Sequence, residues 1–153
     1  MSKYLTQVHF GKPTPSDPVF LYESAAEAAF KKYLVEARRR GQEVSAWDQK
    51  HWKSEICIPG FCTHPAQEEL FIYEFVTPGY EFVTRGWQKH FHASLEEARE
   101  RVKKMRDMVT SYPYGGFAVM ADEPDRFTFL PTNHDKPQPV TWWVNTIRVN
   151  MGL

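Results

Sequence analysis

His90 and His92 stand two residues apart in a run that reads as a β-strand. A strand's period of two sends both imidazoles, with Gln88, to one face and leaves Trp87 and Phe91 on the other. Two rings held side by side at fixed height can bind a metal ion or pass protons near neutral pH. A strand whose face is merely wet produces the same pattern, and no third ligand accompanies the pair at a fixed spacing. The face of Gln88, His90 and His92 therefore reads as a binding surface, with no cofactor or metal expected.

The second group of reactive side chains is Cys57-Ile-Pro-Gly-Phe-Cys62-Thr-His64, with His51 upstream. Thiolate and imidazole are the ligands zinc prefers, but structural zinc sites favour two paired knuckles and the second pair is missing. Two ordinary reduced thiols around a Pro-Gly turn are the simpler reading, and they fit a reducing, cytoplasmic compartment. There is no Gly-x-Ser-x-Gly elbow, phosphate-binding loop, dinucleotide fingerprint or His-Glu-x-x-His helix. The adjacent carboxylates Glu68-Glu69, Glu96-Glu97 and Asp122-Glu123 diverge from one another on any regular element, so they read as solvated faces. On Trp142-Trp143 the same period sends the two rings to opposite sides of a sheet. One indole is then core and the other needs a cover, which makes Trp142 and Trp143 the second candidate for a binding surface.

The elements that hold these residues follow from periodicity. Tyr22-x-Ser24-x-x-Glu27 and His92-x-Ser94-x-x-Glu97 are two capping boxes, each opening an amphipathic helix after a short aromatic run. The first helix runs from Ser24 to about Arg40, with Ala26, Phe30, Tyr33, Leu34 and Ala37 as its apolar stripe and Gly41 as its stop. The second runs from Ser94 to about Thr110, with Leu95, Ala98, Val102, Met105 and Val109. Between Gln42 and Pro65 a short helix around Trp47 to Trp52 precedes an extended piece ending at Cys57. Tyr4 to Phe10 alternates as a half-buried strand with Gln7 and His9 on its polar side. Leu70 to Val76 is apolar on both faces and thus central. A turn is expected at Thr77 to Tyr80, extended structure at Phe82 to Arg85 and Trp87 to His92, a four-residue hairpin loop at Asp122 to Asp125, and a closing strand at Thr141 to Val149. These elements add up to an α+β fold: one domain over residues 1–153, a mainly antiparallel sheet, and two amphipathic helices packed on one of its faces.

Composition narrows the function. At 153 residues the chain has 11 Phe, 7 Tyr and 5 Trp, so large flat side chains are being packed or presented. Formal charge is zero, which removes the basic excess that usually accompanies a polyanion partner. Arg38, Arg39 and Arg40 form one dense basic run, where cations complement the end of the first helix. No segment approaches the roughly 20 apolar residues of a membrane span, and the start of the chain lacks a secretory signal. The expectation is a small soluble accessory or inhibitor-type protein that engages a protein partner through an aromatic-rich surface on the sheet side opposite its helices. One rival is a hydrolase or metal-dependent enzyme built on His90 and His92, with His9 or His64. The other binds single-stranded nucleic acid by aromatic stacking, with Arg85, Lys89, Arg126 and Arg148 on the backbone.

Overall fold

The computed structural model describes residues 4–58, 69–78, 87–113, 115–132 and 138–152, with Pro78 and Trp87 described by backbone alone. Cys62, His64, Arg85, Tyr114, the turn expected at Gly79-Tyr80 and the extended piece expected at Phe82 to Arg85 lie outside the described residues. The architecture is α+β with two sheets, and the chain divides into two compact units: residues 1–72 with 147–153, and residues 73–146.

In the first unit, β1 (Tyr4–Val8) is flanked by the short β2 (Val19–Phe20) and by β3 (Lys53–Cys57), both antiparallel to it. Helix α1 (Glu23–Arg39) lays the expected stripe on this sheet. Val8, Ala26 and Phe30 are buried together, Phe20, Tyr33, Leu34 and Trp52 close around them, and Trp52 stacks on Phe30 with ring centres 5.4 Å apart. Asn150 laces the far edge: its N–H and its side-chain amide both donate to the carbonyl of Val19, and its carbonyl accepts from Leu21. The short helix α2 (Ala46–Lys50) starts on Ser45, whose hydroxyl accepts from the N–H of Asp48.

Both ends of α1 follow from local chemistry, one as expected and one not. At the C-terminus Gly41 adopts φ +70°, and the N–H groups of Gly41 and Gln42 donate to Arg38 and Ala37, the pattern of a Schellman cap. At the N-terminus the cap residue is Tyr22, and Ser24 already lies inside the first turn, so the expected Ser24 cap is not formed. Ser94 is the N-cap of α3 (Leu95–Thr110), its hydroxyl accepting from the N–H of Glu97 at 3.2 Å. The two similar phrases in the sequence thus start their helices differently. Ser94→Ala is expected to cost about 1 kcal/mol, whereas Ser24→Ala stays within about 0.5 kcal/mol of the parent. Urea denaturation of the two variants checks the contrast.

In the second unit, α3 packs on a sheet of strand order β5-β4-β8-β7-β6, formed by β4 (Phe71–Pro78), β5 (Trp87–His92), β6 (Phe117–Glu123), β7 (Arg126–Pro131) and β8 (Val140–Arg148). Strands β4 and β8 give residues to both units. Phe75, Val102 and Phe127 are buried together, joined by Met105, Val109, Phe129, Trp142 and Val144. Each long helix therefore has its own sheet. The apolar stripes announce that both helices have a buried side, but periodicity carries no information about which strands fill it. The β6–β7 hairpin closes more tightly than a four-residue loop. Glu123 pairs with Arg126, leaving Pro124 and Asp125 as the turn, and a bulge lies between Val119 and Ala121.

Candidate functional site

Register sorts the side chains of the second sheet into two faces, because residues directly opposite in an antiparallel pair project to the same side. Phe75 pairs with His90, Tyr73 with His92, and Thr77 with Gln88. Since Phe75 lies under α3, Gln88, His90 and His92 belong to the helix side of the sheet and not to the side opposite the helices. The connection from β5 to α3 is only Ala93 and Ser94, so the end of the strand sits against the first turn of the helix. His92 Nδ1 is 3.7 Å from Glu97 Oε2, and its Nε2 is buried with no hydrogen-bond partner among the described residues. The His90 ring lies 6.2 Å from that of Phe75.

Partial burial, with Arg101 beside them, pushes both imidazoles below the ordinary histidine value. For His92 the pull of Glu97 only partly offsets this. A histidine lowered on folding binds fewer protons in the native than in the unfolded chain, so its contribution favours the fold above the unfolded value of about 6.5 and is lost as pH falls below it. The urea midpoint is expected to drop between about pH 7.5 and 5.5, and a His90→Asn/His92→Gln double variant to flatten that dependence. An equally steep profile in the double variant would assign it to other groups.

The two tryptophans project to opposite faces of the sheet, as the strand period requires, and both are half-buried. Trp142 pairs with Phe127 and stacks on it with rings 6.0 Å apart and nearly parallel, and it also contacts Phe129 at 5.1 Å. Trp142 is thus part of the packing beneath α3. Trp143 pairs with Arg126, which in turn pairs with Glu123, so an indole, a guanidinium and a carboxylate form one row across the face opposite α3. Beside this row Thr128 and Thr141 share a hydroxyl hydrogen bond of 2.9 Å. Glu123, Asp125, Arg126, Thr141 and Trp143, with Pro139 and Val144, line a cleft of about 610 Å³, a volume in the range of small-ligand and anchor-residue sites. Asp125 is also held from α3 by Arg99 at 2.5 Å.

The same face carries a group that a reading of types and spacing passes over. Glu74 is fully buried in β4, with Lys89 Nζ 3.6 Å from its Oε2 and the Asn145 amide donating to its Oε1 at 3.1 Å. A lone carboxylate in the otherwise apolar run of β4 is a sequence signal for a buried polar pair. Lys89 is nearly as buried as its partner, and Arg148 lies 3.4 Å from Glu69. Two of the four cations assigned to a nucleic-acid backbone therefore already face carboxylates. A second cleft, between α3 and the β6–β7 turn, is lined by charges that also meet one another, Arg106 being 2.8 Å from Asp122. Cys57 is an exposed free thiol. Among the described residues no three His, Cys, Asp or Glu side chains converge as metal ligands, and no helix is long and apolar enough to cross a membrane. A scan of protein-family models gives no match to this chain, and neither curated proteins nor solved structures give a significant one.

Proposed function

We propose that this is a binding protein whose second unit captures a side chain of a protein partner in the cleft of Trp143, Arg126 and Glu123. The reading is supported chiefly by the row these three form across the face opposite α3, at the wall of a cleft large enough to take an anchor residue. Trp143 and Pro139 give the cleft an apolar wall, and Arg126 gives it a cation beside the indole. A glutamate or aspartate of the partner suits that combination, its stem lying on the indole and its carboxylate reaching the Arg126 guanidinium that stands between the indole and Glu123. Anchors of this kind, seated in a pocket and shielded from water, carry most of the energy of typical interfaces.

The face of Gln88, His90 and His92 is the weaker candidate, because it borders the first turns of α3 instead of a cleft. The experiment is quantitative affinity capture with the whole chain, run in parallel with Trp143→Ala and with His90→Ala/His92→Ala. A protein recovered in stoichiometric amount by the parent and by the histidine variant, but not by Trp143→Ala, is the expected result. Equal recovery by Trp143→Ala overturns the assignment. Recovery that disappears after nuclease treatment transfers the cleft to nucleic acid, where the same indole would stack a base.

A further inference from the structure

The first unit holds a second polar constellation, unrelated to the cleft above. His9 follows β1 directly and is only 3% exposed. Its Nδ1 lies 2.7 Å from Asp17 Oδ2, and its Nε2 lies 2.7 Å from Ser54 Oγ. Asp17 is itself buried and fixed, accepting from the N–H of Thr14 at 2.8 Å and from the Thr14 hydroxyl at 2.6 Å. One residue earlier Ser16 occupies the left-handed region, φ 63°, a conformation that L side chains rarely adopt and that here delivers Asp17 to the ring. Ser54, on β3, is exposed.

Acceptor chemistry fixes the tautomer that a neutral His9 adopts. A carboxylate only accepts, so in the neutral imidazole Nδ1 carries the ring proton and Nε2 presents its lone pair. The Ser54 hydroxyl then donates to Nε2. Carboxylate to Nδ1–H, and Nε2 to a serine hydroxyl, is the connectivity by which unrelated folds activate a serine, recognised by geometry and roles instead of position in the chain. Register adds a donor. Gln7 lies opposite Ser54 and His9 donates to the carbonyl of Trp52, so the N–H of Ser54 points into the β1–β3 ladder. The N–H of Glu55, next in sequence to the serine, then points out of the edge of β3, where no strand pairs among the described residues. That places a backbone donor beside the hydroxyl, as a developing oxyanion requires.

We propose that Ser54 is a nucleophile that accepts the acyl group of a small carboxylic ester, with His9 as its general base and Asp17 as a positioning residue. Ser54 Oγ forms a bond to the ester carbonyl carbon while its proton passes to His9 Nε2. The carbon–oxygen bond to the alcohol then breaks, and the leaving oxygen takes that proton from His9. Water, deprotonated by the same nitrogen, releases the acid and restores the serine.

A network that merely pins the loop from Gly11 to Pro18 would have the same distances but no reactivity. The test is labelling of the whole chain with a fluorophosphonate, in which the serine oxygen bonds to phosphorus and fluoride leaves with the serine proton. One label per chain on Ser54 is expected, absent in Ser54→Ala under conditions where that variant, somewhat less stable for the lost bond to His9, is still fully folded. Labelling of Ser54 should be roughly 100-fold slower in His9→Gln, the size of a general-base contribution. Should His9→Gln not fold, the parent unfolded in urea replaces it and should show the same slowing. Labelling of Ser54 in the native chain that is absent, or no faster than in the unfolded chain, overturns the proposal.

Discussion

Glu74→Ala is expected to lower the unfolding free energy by about 3–5 kcal/mol. The carboxylate is fully buried and stands between Lys89 and Asn145, so its removal takes a carboxylate away from an ammonium group that is itself almost out of water. Breaking one side of a buried pair costs this much because the desolvated charge that remains loses its close counter-ion. The pair taken together need not be stabilising. A Glu74→Met/Lys89→Met double variant is expected to recover most of the loss, since desolvating two charges offsets much of their attraction. Urea denaturation of the single and double variants closes the cycle. A double variant no more stable than Glu74→Ala would mean that the polar partners, Asn145 included, contribute more than the ion pair does.

The adjacent tryptophans are expected to fail in opposite ways. Trp142→Ala removes the ring stacked between Phe127, Phe129 and the underside of α3, and should cost about 3 kcal/mol, as large-to-small changes in aromatic packing do. Partner capture should then fall only in proportion to the folded fraction. Trp143→Ala should cost clearly less stability than Trp142→Ala while abolishing capture. Finding the large stability loss at Trp143 instead would show that this indole is a packing residue and remove the cleft from consideration.

The helices were legible because their chemistry is local. The stripes through Ala26, Phe30 and Ala37 and through Ala98 and Val102 need only the helical period, and Gly41 ends α1 by a bond pattern confined to six residues. Where the reading failed, the deciding partner was distant. Gln7 and His9 alternate with apolar neighbours as solvent-facing residues do, yet both are buried. His9 is satisfied by Asp17 and Ser54, and the Gln7 amide donates to the Asp17 carbonyl. Ser24 matches a cap by spacing, but the helix begins two residues too early for it. The row Trp143, Arg126, Glu123 depends on the register of three strands, which no pattern within one strand encodes. The side of the sheet that His90 and His92 face depends on how a two-residue connection turns the chain into α3.

The lacing of β2 by Asn150 sets an order of events during synthesis. Domains generally fold from the N-terminus as the chain emerges. Here every residue of the second unit leaves the ribosome before Asn150 does, although β2 was made before any of them. The earlier-made unit is therefore the later one to finish, and until then the carbonyl of Val19 and the N–H of Leu21 wait without their final partner. A chain truncated just before Asn150 and released from the ribosome should accordingly be cut by protease around β2 while α3 and the strands beneath it resist.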